Sequence, residues 1–144
     1  TMMLYVNGQD IRRLTLGLLH QDSEPVLETY QCSPEEFLKR IDTFFKEHGM
    51  TVDDVDQIIT VKGPGSATSL RSILSIINTL GFFKGVKVAG VEKELETLDK
   101  DVINSILNES VELDYSETIL PKYSHGPRIT ISKKDQLGQS AKSK

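Results

Sequence analysis

The 144-residue sequence predicts one α/β domain, a mixed sheet of about five strands with helices packed on it. Three observations lead there. The first thirty residues alternate short apolar runs with turn residues, which is the pattern of an antiparallel meander. Ser33-Pro34-Glu35-Glu36 then opens an amphipathic helix. Further along, an apolar run, a helical stretch and a second apolar run follow one another. Such a crossover unit requires part of the sheet to be parallel.

The first strand covers 3–6, and Asn7-Gly8 behind it is a strong two-residue hairpin signal. Ile11, Leu14, Leu16, Leu18 and Leu19 give the second strand, a polar turn follows at 21–25, and 26–30 is the third. Ser33 at N-cap, Pro34 at the first helical position and Glu36 two residues later form a capping box. Phe37, Leu38, Ile41, Phe44 and Phe45 make one apolar face, and Gly49 stops the helix. An acidic connection at 51–56 leads to a strand at 57–61. A second helix at 68–83 ends at Gly85, a strand follows at 86–91, and a third helix covers 93–107 with Leu95, Leu98, Val102, Ile103 and Ile106 as its apolar positions. An extended segment at 127–132 closes the ordered chain.

Gly63-Pro64-Gly65-Ser66 joins the fourth strand to the second helix. Pro64 fixes φ, the flanking glycines admit angles that a Cβ disfavours, and Ser66 or Thr68 caps the helix. Such a junction can hold an anion, with Arg71 near, or set the angle at which the helix leaves the sheet. The helix itself carries no charge between Arg71 and Lys84. Leu70, Ile73, Leu74, Ile77, Leu80 and Gly81 share the core face. Ser72, Ile76, Thr79 and Phe83 form an uncharged seam opposite, where a solvent face would carry Lys or Glu. Three accounts fit that seam: cover by the third helix, contact with a partner helix, or a chance lack of charge.

Composition and motifs exclude more than they assign. A net charge of −4 gives no overall basic footprint, so direct nucleic-acid binding is not expected. One cysteine, Cys32, excludes an internal disulfide and suits a reducing compartment. With no membrane-spanning run and no signal peptide, a cytoplasmic location is expected. There is no P-loop, His20, His48 and His125 lack metal-ligand spacing, and Ser66 has no triad partners. Asp53, Asp54 and Asp56 read as a solvated turn. No catalytic residue, metal or cofactor is assigned.

Asp54-Val55-Asp56, Ile58-Ile59-Thr60-Val61, Gly63-Pro64-Gly65-Ser66, Thr68, Leu70-Arg71 and Gly85-Val86-Lys87-Val88-Ala89-Gly90-Val91 together resemble the YeaZ (TsaB) family. These are bacterial accessory proteins for making threonylcarbamoyl-adenosine in tRNA. Leu120-Pro121-Lys122-Tyr123 and Gly126-Pro127 resemble that family's C-terminal end. Ala67 and Ser69 stand where the family usually has phenylalanine and glycine. Asn7-Gly8-Gln9 stands where it has aspartate–threonine–serine. Between Leu107 and Leu120 there is no room for the family's second lobe.

The resemblance implies a single actin-like (ribonuclease H-like) lobe over residues 1–110 and an extended segment at 111–132; Lys133, Lys134, Lys142 and Lys144, against Asp135 alone, make 133–144 a basic tail, expected to be disordered. The resemblance also implies a non-catalytic scaffold or activator whose chemistry belongs to a TsaD-like partner, bound through Ser72, Ile76, Thr79 and Phe83. The turn made by Gly63, Pro64, Gly65, Ser66, Thr68 and Arg71 sets that helix's direction. Self-association as a homodimer is expected when the partner is absent. The alternatives are weak phosphate or nucleotide binding at the turn, and a self-associating remnant that has lost its partner.

Overall fold

The computed structural model describes residues 2–123. The expected extended segment at 127–132 and the basic tail lie outside the described residues. Ten elements lie in the order β1 (Met2–Asn7), β2 (Arg13–His20), β3 (Val26–Gln31), a 3-10 turn (Pro34–Glu36), α1 (Phe37–Glu47), a second 3-10 turn (Val52–Asp54), β4 (Gln57–Gly63), α2 (Ala67–Lys84), β5 (Lys87–Glu92) and α3 (Asp99–Leu107). The five strands form one sheet in the order β3-β2-β1-β4-β5. β1, β2 and β3 are antiparallel neighbours, whereas β4 lies parallel to both β1 and β5. This is the mixed five-stranded sheet the sequence predicts.

Period-2 alternation divides the core between the two faces of the sheet. On one face Leu4, Val6, Leu14, Leu16 and Ile58 pack with Phe37, Ile41 and Phe44 of α1 and with Ile73, Leu74 and Ile77 of α2. On the other, Tyr5, Leu19, Ile59, Val61, Ala89 and Val91 pack with Val102, Ile103 and Ile106 of α3. At Gly81 a Cβ would overlap Val88, so the missing side chain lets α2 approach β5.

The helix starts are built as their sequences indicate. The Glu36 carboxylate accepts from both the Ser33 N–H and its hydroxyl, each at 3.0 Å. Ser66, rather than Thr68, caps α2 by accepting from the Ser69 N–H at 3.2 Å. Gly85, at φ 68°, supplies the left-handed stop of α2. The acidic residues of the connection, Asp53, Asp54 and Asp56, are exposed, and two of their carboxylates accept from backbone N–H groups. Asp54 accepts from the Thr51 N–H at 2.8 Å, and Asp56 from the Met2 N–H at 3.1 Å.

Four local expectations are corrected. Asn7-Gly8 does not make a two-residue hairpin, because Asn7 pairs with Thr15 and the chain loops out through Gly8–Arg12. Ile11 lies exposed in that loop rather than in β2. Leu38 is exposed, at the edge of the α1 face rather than within it. The third helix begins at Asp99, not at 93. Leu95 and Leu98 are exposed, and Lys93 is drawn back to the sheet, its N–H donating to the Gly63 carbonyl at 2.9 Å.

After α3 the chain returns along the open edge of β5. Gly90 and Asp114 exchange both backbone hydrogen bonds, at 2.7 and 2.8 Å. The Lys62 ammonium reaches the Asp114 carboxylate at 2.9 Å. Ile119 is buried among the α1–α2 core residues. Asn78 of α2 brackets it, donating to its carbonyl at 2.9 Å and accepting from its N–H at 3.0 Å. The Lys122 N–H then donates to the Lys62 carbonyl at 2.7 Å.

Candidate functional site

Two regions of the lobe carry features that packing alone does not require. The first is the crevice at the carboxyl ends of β1, β4 and β5, where open α/β sheets take ligands. The second is the outward side of α2.

At the crevice the Gly63–Ser66 turn meets the β1–β2 loop. The Gly63–Pro64 peptide is cis, and Gly63 has φ 135°. A Cβ on Gly63 would overlap the Lys122 carbonyl, and one on Gly65 would meet the Gln9 carbonyl. The Ser66 N–H, which a bound anion would use, donates to that same Gln9 carbonyl at 2.9 Å. Ser69 is fully buried, and its hydroxyl donates to the Gly8 carbonyl at 2.6 Å, with the Asp10 carbonyl 3.2 Å away. The turn thus anchors the start of α2 to the β1–β2 loop. Thr68 and Arg71 are exposed beside it.

Gln9 is the hub of the crevice and is 2% exposed. Its Nε2 donates to the carbonyls of Pro64 at 2.7 Å and Lys93 at 2.8 Å, which fixes the amide orientation. Its Oε1 accepts from the Lys93 ammonium at 2.8 Å and from Asn7 Nδ2 at 3.2 Å. Asn7 Nδ2 also donates to Asp99 at 2.8 Å, and the Tyr5 hydroxyl donates to the same carboxylate oxygen at 2.6 Å. Burial, reinforced by the Asp99 charge, pushes the Tyr5 phenol up, so it remains a donor. Burial likewise holds the Lys93 ammonium below the ordinary lysine range, opposed by the Asp99 charge. A shallow cavity of about 150 Å³ opens on this cluster, lined in part by Arg13, Thr97 and Asp99.

This network is not legible in the sequence. Tyr5, Asn7 and Gln9 lie more than eighty positions from Lys93 and Asp99. The available signal was local: a tyrosine inside the first apolar run, with two amides just after it.

On α2 the four seam residues differ in exposure. Ser72 and Ile76 are half-buried, whereas Thr79 is exposed and Phe83 is 77% exposed. Phe82, not singled out from the sequence, is 82% exposed and packs edge-to-face on Phe83, with centroids 5.2 Å apart. A groove beside these rings runs toward Val86 and Tyr115, where the Lys87 ammonium sits 4.5 Å from the tyrosine ring centroid. Cover by the third helix is corrected here, since α3 packs on the opposite face of the sheet.

Among the described residues no three His, Cys, Asp or Glu side chains converge as a metal site would need. No described helix is long and apolar enough to cross a membrane.

A β3-β2-β1-β4-β5 sheet with helices on both faces defines the class: a single actin-like, ribonuclease H-like lobe. A family model described as TsaD, tRNA N6-adenosine threonylcarbamoyltransferase, matches residues 30–98, from β3 to the loop before α3. Two solved structures share the fold. One is YeaZ from Pseudomonas aeruginosa, with a TM-score of 0.57 and 20% identity over 64% of this chain and 44% of that one. The other is described as a protein with similarity to peptidase YEAZ from Pseudomonas aeruginosa, with the same TM-score, identity and share of this chain, and 43% of that chain. The protein is therefore YeaZ-like in fold, and it spans less than half the length of the YeaZ structures it matches. No curated protein matches it.

Proposed function

We propose that the protein takes part in tRNA modification as a non-catalytic scaffold or activator, docking a TsaD-like subunit through α2. The observation that carries the proposal is the uncharged outward side of α2. It presents Ser72, half-buried Ile76, Thr79 and the exposed Phe82–Phe83 pair. Adjacent exposed aromatic rings on a helix without charge are the material of an interface centre. The match to the TsaD family model includes all of α2, and a partner of that kind gives the surface its use.

The crevice supports the same reading. Its donors and acceptors bind one another, which makes a rigid base for α2 rather than a reacting centre. The Gly63–Ser66 turn, tied to Gln9, fixes the direction in which α2 leaves the sheet.

The test is a titration of the full chain against a TsaD-type protein from the same cells. A complex should form at micromolar concentration, and Phe83→Glu should weaken it by about tenfold or more without lowering the melting temperature. Absence of a complex, or unchanged affinity in Phe83→Glu, overturns the docking surface.

A further inference from the structure

Among the described residues, the Lys93 ammonium has no carboxylate as a hydrogen-bond partner. It is 6% exposed, and its three protons meet three neutral oxygens: Gln9 Oε1 at 2.8 Å and the carbonyls of Glu94 at 3.1 Å and Leu95 at 3.4 Å. Three acceptors for three donors is the full complement of an ammonium. Converging carbonyl and amide oxygens are also the donor set of a hard cation. The negative charge is supplied nearby by Asp99, itself held by Tyr5 and Asn7.

The oxygens are not placed by Lys93 alone. Gln9 Oε1 is oriented from the other end of its amide, through the Pro64 and Lys93 carbonyls, and through Asn7 Nδ2. The backbone of Lys93 is pinned independently to the Gly63 carbonyl. The Glu94 carbonyl is held as well, accepting from the Thr97 N–H at 3.1 Å.

We propose that the crevice at the carboxyl ends of β1, β4 and β5 is a cation site whose cation the chain itself supplies as Lys93. Shortening that side chain converts the crevice into a receptor for a small primary ammonium ion. The site selects an ion that can donate three hydrogen bonds over one that has charge alone. In the native chain the occupied crevice locks the β1–β2 loop, the β4–α2 turn and the β5–α3 loop into one block. This inference does not depend on the docking role of α2.

The experiment compares Lys93→Ala, Lys93→Met and the native full chain in thermal melts with propylammonium or tetramethylammonium chloride at equal ionic strength. Propylammonium replaces the atoms that Lys93→Ala removes. It should raise the melting temperature of Lys93→Ala saturably, by roughly 4–8 °C at about ten times its dissociation constant. Tetramethylammonium, which has no N–H, should not, and neither salt should act specifically on the native chain or on Lys93→Met, whose side chain fills the space. An equal response to both salts, or no response, overturns the proposal. Should Lys93→Ala fail to fold, nitrogen-15 NMR of the native chain decides. A protonated Lys93 signal protected from hydrogen exchange at neutral pH supports the internal cation, and an unprotected or neutral amine overturns it.

Discussion

Ile76 and Ile77 are adjacent, identical and differently placed. Ile77 is fully buried against the sheet, while Ile76 is half-buried at the border of the same core. Ile77→Ala should cost roughly 2–5 kcal/mol through lost transfer energy and the cavity left behind. Ile76→Ala should cost about 1 kcal/mol, since only part of its surface leaves water. Association should change the other way, with Ile76→Ala weakening it by about 1–2 kcal/mol. Denaturant melts at a concentration where the chain is monomeric, with a binding titration of each variant, make the comparison. Equal loss of stability would place Ile76 wholly in the core and remove it from the interface. Gly63 offers a second test at this scale. Its φ of 135° and the Lys122 carbonyl against it exclude a Cβ, so Gly63→Ala should cost about 2–3 kcal/mol. Faster hydrogen exchange at the Lys122 amide would show that the strap over β4 has been displaced.

At the scale of elements, α2 has two unlike tasks. Its inward side closes the core through Leu70, Ile73, Leu74 and Ile77, and among the described residues no helix lies upon its outward side. α1 is the contrast: an amphipathic helix whose Asp42 and Lys46 pair on its exposed side at 3.0 Å. An exposed side without such charges should drive self-association when no other partner is present. Light scattering of the purified chain at micromolar concentration should therefore report a dimer, and Phe83→Glu a monomer. A monomer at every concentration for the native chain would count against a self-complementary surface. The start of α3 shows the reverse case, a helix shorter than its apolar pattern. Lys93 is held by the sheet, the Thr97 N–H donates to the Glu94 carbonyl at 3.1 Å, and the helix begins only after Leu98.

Across the whole molecule, the segment after α3 closes the lobe. β5 is an edge strand, and an uncovered edge invites pairing with another chain. Asp114 covers its middle and is joined to Lys62. Hydrogen bonds from Ser116, then from Lys62, hold the Asp114 carboxyl at about 2, below its ordinary 3.8. A carboxyl lowered by folding contributes stability above its unfolded value and loses it as pH falls through its folded one. Attachment of this segment should thus weaken between about pH 4 and pH 2. Hydrogen exchange at Gly90 and Asp114 across that range should show it, and Asp114→Asn should remove the dependence. An unchanged profile in that variant would mean that another group controls the edge.

Elements with a local cause were readable from the residues alone. Ser33 and Glu36 start one helix, and Ser66 and Gly85 bound another, through contacts a few residues apart. The apolar runs of β1 and β4 and the uncharged stretch of α2 were equally legible, because each is a property of neighbouring residues. Other features depend on residues far apart in the chain and emerge only on folding. Asn7-Gly8 became part of a longer loop because Gly8 must lie against Ile73 and Gln9 must reach Pro64 and Lys93. The helical pattern at 93–98 yielded to a buried ammonium whose Gln9 acceptor reaches it only once β1, β4 and β5 are side by side. Whether α3 covered α2 was likewise settled by the sheet, which places them on opposite faces. Local hydrogen bonds are written in the neighbouring residues. The satisfaction of buried polar groups is a property of the assembled chain, since their partners are brought together only by folding.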